Sequence, residues 1–143
     1  MAKLRVGIIG TGFGAKVHAP AFQAIPAVEV MAIAGQDRQK AALAGQALGI
    51  PTIHDSWQQL IDDEKVEAVV VAVPPSAHFD VVTAALRAGK HVLCEKPFGV
   101  DAGQAARMCE LARESHRVCM VDYMFRMAPE RVRLKELLDG HEI

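Results

Sequence analysis

Four short segments of this chain carry residue types suited to chemistry. The first is Gly10-Thr11-Gly12-Phe13-Gly14-Ala15, a G-x-G-x-x-A pattern directly after the apolar run Leu4–Ile9. The first glycine permits a tight turn. The second lets a pyrophosphate approach the backbone, and the small Ala15 lets helix and strand pack closely. The helix that follows offers free N–H groups and a positive dipole end to phosphate. This predicts a dinucleotide site; the plainer alternative is a tight turn without a ligand. The other segments are Pro74-Pro75-Ser76-Ala77-His78, Glu95-Lys96-Pro97 and Asp122-Tyr123-Met124-Phe125-Arg126. Each follows an apolar run, and each carries polar or titratable side chains.

A fifth position bears on which dinucleotide fits. An acidic residue at the end of the second strand suits the ribose hydroxyl of NAD, and a basic neighbour suits the extra phosphate of NADP. Here the strand runs out at Ala34-Gly35-Gln36-Asp37-Arg38. Gly35 carries no carboxylate. Asp37 either caps the next helix or reaches a ribose. Arg38 and Lys40 either meet a phosphate or face solvent. The balance leans to NADP, with Gln36 and Arg38 as the candidate contacts.

The elements that position these segments are legible as alternating patterns. Strands are expected at Leu4–Ile9, Val28–Ala34, Thr52–His54, Ala68–Val73, His91–Cys94 and Val118–Val121. Helices are expected at Gly14–Ile25, with Pro20 kinking it or marking a late start, and at Asp37–Leu48, Ser56–Ile61 and Ser76–Ala88. Another begins at Asp101, where Gln104 completes a capping box, with Ala105, Met108, Cys109 and Ala112 on one face. The last is Pro129–Leu138. Strands without polar alternation fit a parallel sheet covered on both faces. The expected fold is therefore α/β: a doubly wound parallel-sheet Rossmann fold, a single domain of about six strands flanked by helices. In such a sheet, ligands bind outside the carboxyl ends of the strands, where the four segments converge.

Composition narrows the function classes. Net charge is −1, which gives no electrostatic case for nucleic acid or an acidic membrane. No apolar run approaches the roughly 18 residues that span a bilayer. The start, Met1-Ala2-Lys3-Leu4-Arg5, leads into a glycine-interrupted stretch without a cleavage site, so no signal peptide is expected. Cys94, Cys109 and Cys119 form no C-x-x-C pair, which favours reduced thiols and a cytoplasmic location. The six histidines lack H-x-x-x-H and H-E-x-x-H spacing, so no metal site is expected.

The chain resembles the Gfo/Idh/MocA oxidoreductases. The likeness lies in Val6-Gly7-Ile8-Ile9-Gly10-Thr11-Gly12, in Ala72-Val73-Pro74-Pro75-Ser76-Ala77-His78, and above all in Ala88-Gly89-Lys90-His91-Val92-Leu93-Cys94-Glu95-Lys96-Pro97. The resemblance implies that Gly10, Thr11, Gly12, Phe13 and Ala15 hold the pyrophosphate. It implies that Pro74, Ser76 and His78 line the path from ribose to nicotinamide, with His78 capping or packing at a helix start as the alternative. It places Glu95 and Lys96 at the nicotinamide ribose and substrate. Lys96 takes the catalytic, substrate-orienting or proton-handling role, and packing in a cleft would suit it by lowering its pKa. The departures are Gly35 and the Tyr123-Met124-Phe125-Arg126 stretch.

The implied reaction is hydride transfer between NADP or NAD and a sugar, polyol or related hydroxy compound. The family's C-terminal substrate domain is expected to be absent after Gly140-His141-Glu142-Ile143. The isolated chain is then expected to bind cofactor without turnover. Small-molecule substrate would bind only with the missing domain, and exposed Leu134, Leu137 and Leu138 would promote self-association. The alternatives are a non-enzymatic dinucleotide-sensing module and a remnant without a ligand; the intact glycine turn and Glu95-Lys96-Pro97 argue against the remnant.

Overall fold

The computed structural model describes residues 2–141; Met1 and the Glu142-Ile143 end lie outside the described residues. Six parallel strands form one sheet: β1 (Leu4–Ile9), β2 (Val28–Ala34), β3 (Thr52–His54), β4 (Ala68–Val71), β5 (His91–Cys94) and β6 (Cys119–Val121). Their order across the sheet is β3-β2-β1-β4-β5-β6, and every pairing is parallel. The chain winds outward in one direction from β1 and in the other from β4. A crevice opens where the direction switches, as a doubly wound sheet requires.

Alternate side chains of each strand serve opposite faces. Val6 and Ile8 of β1 join Val30, Ile33 and Val70 on one side, with Ala15 and Ala19 packed over them. Ile9, Val69 and Val71 face the other side, against Leu60, Val81, Val82, Leu86 and Met108. Burying one such side chain fully contributes roughly 1.5–3 kcal/mol. The helices that cover the sheet are α1 (Ala19–Gln23), α2 (Arg38–Leu48), α3 (Trp57–Asp62), α4 (Pro75–Arg87) and α5 (Ala102–Glu114), followed by α6 (Pro129–Asp139).

Caps set the helix starts. Asp37 accepts from Gln39 and Lys40 N–H, Ser56 from Gln59 N–H, and Asp101 from Gln104 N–H. The returning arm of the expected capping box reaches Val100 N–H, one residue before the cap. Pro75 opens α4 one residue ahead of the expected start, because its fixed φ and missing N–H suit a first helical position.

Three sequence expectations about these elements need correction. The helix expected over Gly14–Ile25 is a π-helical turn, Gly14–His18, running into a short α1. Pro20 has no N–H to give the turn before it, and the helix widens there. The strand expected to reach Val73 ends at Val71, since Ala72 must turn away beneath Gly10. In α5, Met108 is buried but Cys109 is exposed. A 3-10 turn, Met124–Met127, precedes α6, whose residues are exposed or only half-buried.

Lys90 is a buried lysine at the entry to β5. Its Nζ donates to the Asp63 carbonyl at 2.8 Å and the Val66 carbonyl at 2.7 Å. Burial lowers its pKa, opposed by the charges of Asp63, Glu64 and Asp62. Lys90→Met keeps the side-chain length and leaves two carbonyls without their donor. Urea unfolding is expected to show a loss of about 1–3 kcal/mol; an unchanged midpoint would mean that water replaces the ammonium.

Candidate functional site

The site forms because the sheet ladder continues one residue beyond β4, β5 and β6. Ala72 N–H bonds to Ile9 O at 2.8 Å, Glu95 N–H to Val71 O at 2.9 Å, and Asp122 N–H to Cys94 O at 2.8 Å. These bonds fix Ala72, Glu95 and Asp122 at the carboxyl edge beside the glycine turn. In that turn Gly10 has φ +125°, and its N–H bonds to Ala34 O at 2.8 Å. Its α-carbon lies so close to Ala72 that a Cβ would sit 2.1 Å from the Ala72 carbonyl oxygen. Gly12 is different: a Cβ there would meet nothing within 4 Å. The turn thus presents a bare, open backbone edge to the crevice. Lys16 N–H is bonded to Gly12 O, and the amides ahead of it have no helical acceptor. The free edge suits an extended anion.

Two hollows flank the turn and meet at Val73. On the β2 side a hollow of about 430 Å³ is lined by Gly35, Gln36, Asp55, Trp57, Pro74 and Ser76, among others. On the β5 side a hollow of about 600 Å³ is lined by Phe13, Glu95, Lys96, Asp122, Tyr123 and Phe125, among others. A dinucleotide needs this shape: two rings apart and a pyrophosphate between. The observed cradle fits such a group.

The structure brings most of the sequence candidates to this edge. Gly10, Thr11, Gly12 and Phe13 form the turn, and Ala15 is buried in the packing behind it. Gly14 also packs tightly, since a Cβ there would be 3.0 Å from Ile8. Pro74 and Ser76 line the first hollow, with Gln36 exposed at its rim. Arg38 is exposed and paired with Asp55. Asp37 is occupied as the α2 cap.

His78 is fully buried. Its Nδ1 lies 2.8 Å from Pro97 O and its Nε2 lies 2.9 Å from Val73 O. The ring ties the segments after β4 and β5 together from beneath and offers no free polar atom to the crevice. Lys96 is exposed rather than packed in a cleft, because it stands on the outer lip of the turn after β5. Its side chain still lines the larger hollow.

Sequence spacing gave no sign of one constellation. His18, Glu95 and Asp122 place ligand-type atoms within 4.8 Å of one another. His18 Nε2 is 2.9 Å from Glu95 Oε1 and 3.7 Å from Asp122 Oδ2. Burial raises the pKa of Asp122; His18 opposes the shift and neighbouring Glu95 adds to it. Asp55 and Trp57 were missed as well, since nothing local marks a loop that folds back to a distant strand end.

The comparisons with known proteins point the same way. A family model described as "Oxidoreductase family, NAD-binding Rossmann fold" matches residues 4–123. The chain is 38% identical to D-xylose 1-dehydrogenase (NADP(+)) 2 of Haloferax volcanii, over 92% of this chain and 41% of that protein. It is 33% identical to an inositol 2-dehydrogenase/D-chiro-inositol 3-dehydrogenase of Lactiplantibacillus plantarum, over 94% and 39%. Its fold matches a 3-ketoreductase from Actinomadura kijaniata in complex with NADP and TDP-benzene, with TM-score 0.89 and 34% identity, over 96% of this chain and 42% of the other. The chain therefore spans about two fifths of the length of these relatives.

Proposed function

This chain belongs to the Gfo/Idh/MocA oxidoreductase family, whose NAD-binding Rossmann domain it carries, and on that premise we propose that it is the cofactor-holding part of a sugar or polyol dehydrogenase. The observation that carries this reading is the open glycine turn between two hollows, one of which ends in Glu95 and Lys96. The nicotinamide, when bound, supplies hydride transfer to or from a hydroxyl-bearing carbon. The chain's own residues do the rest. Gly10, Thr11, Gly12 and Phe13 receive the pyrophosphate, with Ala15 packing the helix behind them. Pro74 and Ser76 bound the path between the hollows, and buried His78 holds that path in shape. Glu95 approaches the nicotinamide ribose. Lys96 orients the substrate hydroxyl or handles its proton, as a flexible ammonium on the lip of the hollow can.

Substrate binds with the help of protein beyond these 143 residues, as the relatives' greater length suggests. The chain alone binds dinucleotide without turnover; steady oxidation of a polyol by the purified chain would overturn this. Calorimetric titration with NADPH and NADH tests the core reading. Saturable binding of either supports it, and binding of neither overturns it. The free thiols of Cys94, Cys109 and Cys119 suit a reducing, cytoplasmic setting. Among the described residues no helix is long and apolar enough to cross a membrane.

The preferred dinucleotide is NADP, with Gln36 and Arg38 on the phosphate side. A side chain at Gly35 is opposed by Thr11, whose Cγ2 would lie 2.6 Å from the new Cβ. Thr11→Ala leaves only the Cβ of residue 11, at 3.6 Å, and clears the space. The pair Thr11→Ala/Gly35→Asp places a carboxylate at the strand end. It is expected to shift the NADPH to NADH affinity ratio by at least about tenfold toward NADH. An unchanged ratio would remove Gly35 from the specificity argument.

Of the three leucines expected to be uncovered, Leu134 and Leu138 are exposed and Leu137 is half-buried; with exposed Phe125 and Met127 the two exposed leucines favour association between copies. Sedimentation velocity is expected to show mass rising with concentration, and Leu134→Glu/Leu138→Glu is expected to suppress it. A monomer at all concentrations would rule the association out.

A further inference from the structure

His18 has no part in the roles assigned above, yet it sits between the two halves of the site. It belongs to the π-helical turn, where Ala19 N–H bonds to Gly14 O, five residues back. A turn of this kind inserts one residue and shifts the face on which later side chains emerge. Here it brings a buried imidazole against two carboxylates from distant strand ends. The side chains of His18, Glu95 and Asp122 are only 7%, 12% and 20% exposed.

Ionised carboxylates only accept hydrogen bonds. The 2.9 Å contact therefore has His18 Nε2 donating to Glu95 Oε1. The other oxygen of the same group, Oε2, accepts Lys96 N–H at 3.1 Å. Glu95 is held at both ends, once from the helix after the glycine turn and once from its own turn. On its other side the His18 ring meets Phe13 edge-on, with centroids 5.2 Å apart and planes at 78°. A continuous set of contacts thus runs from Phe13 in the glycine turn, through His18, to Glu95 and Lys96. Without the imidazole donor, Glu95 and Asp122 would confront each other as like charges in a poorly solvated place.

We propose that His18 is a positioning residue that locks the Glu95–Lys96 turn to the glycine turn and so presets the nicotinamide end of the dinucleotide site. The binding part of this proposal rests on the dinucleotide reading above; the lock itself does not.

Two variants and two measurements test it. His18→Leu removes the donor, and His18→Gln can restore an N–H close to the Nε2 position. The lock is read without cofactor, from amide resonances in ¹⁵N-labelled full chain. His18→Leu is expected to move the Glu95 and Lys96 signals, and His18→Gln to return them toward wild type. Unmoved signals in a folded His18→Leu variant overturn the lock. If His18→Leu does not fold, the decision falls to His18→Gln: signals and affinities close to wild type support the lock, and a folded variant with displaced signals overturns it.

Binding is read with NADPH and with 2′-phospho-ADP, which ends at the pyrophosphate and lacks both the nicotinamide and its ribose. His18→Leu is expected to weaken NADPH by about tenfold, the scale of one charge-assisted hydrogen bond. It should leave the fragment within about twofold, and His18→Gln should recover most of the loss. Equal losses for both ligands overturn the nicotinamide-end role, since a general structural defect would weaken both alike. Wild type that binds neither ligand overturns the dinucleotide reading and this role with it, while the resonances still decide the lock.

Discussion

Gly10→Ala is expected to cost the fold a large share of its stability. Two independent costs meet at this position. The backbone stands at φ +125°, a conformation that side-chain-bearing residues rarely adopt. The new methyl would also lie 2.1 Å from the Ala72 carbonyl oxygen and 2.8 Å from its carbon. Both of those atoms are backbone, pinned by the Ala72 N–H bond to Ile9 O, so neither can swing away. Strain of this kind costs roughly 1–3 kcal/mol before the overlap is counted. With the overlap, a loss of about 3 kcal/mol or more is expected, against a total of roughly 5–15 kcal/mol for a typical domain. Urea unfolding followed by circular dichroism measures it. A loss under about 1 kcal/mol would show that β1 and β4 can part at this point without harm.

Gly12→Asp is expected to do the opposite: fold normally and fail to bind. A Cβ at Gly12 meets no atom within 4 Å, so nothing in the protein resists the side chain. A carboxylate near a helix N-terminus is mildly favourable for stability. The same carboxylate would occupy the open edge where a pyrophosphate must lie and would repel it. Stability is expected to stay within about 0.5 kcal/mol of wild type, while dinucleotide affinity falls by about 100-fold or more. Calorimetry with NADPH, beside a urea curve for the same sample, separates the two effects. Retained affinity would place the anion somewhere other than this turn. The two glycines, two residues apart, thus divide the labour: Gly10 serves the fold and Gly12 serves the ligand.

The sequence was most informative where a local pattern and a tertiary demand coincide. The bounds of β1, β2, β3 and β5 agree with the expected ranges, and for β1 and β2 the reason is plain: each is an apolar run ended by a glycine, Gly10 or Gly35. Asp37 takes the capping alternative of its two readings, and the cap at Asp101 was legible from its spacing to Gln104. The split at Gly14–His18 was not, since proline signals an interruption without saying what form it takes. Position 109 was misassigned because residues at i and i+1 on a helix edge differ in burial only through what packs on them. His78 shows the limit at the site: its segment was located, but whether its ring faces a ligand or two carbonyls depends on Val73 and Pro97 together. His18 acts on Glu95, 77 residues away, and Asp55 pairs with Arg38 across 17 residues; spacing along the chain carries no trace of either.

The strand order also governs how the molecule can be assembled. β1 lies between β2 and β4, and Arg5 bonds to Glu67, 62 residues further along. During synthesis the first strand emerges with only one hydrogen-bonding edge soon to be covered. The other edge stays bare until β4 has left the ribosome. Contacts so distant in sequence slow folding, and a bare apolar strand invites wrong partners meanwhile. Nascent chains halted before residue 68 should therefore engage chaperones, and release should follow once Ala68–Val71 is exposed to pair.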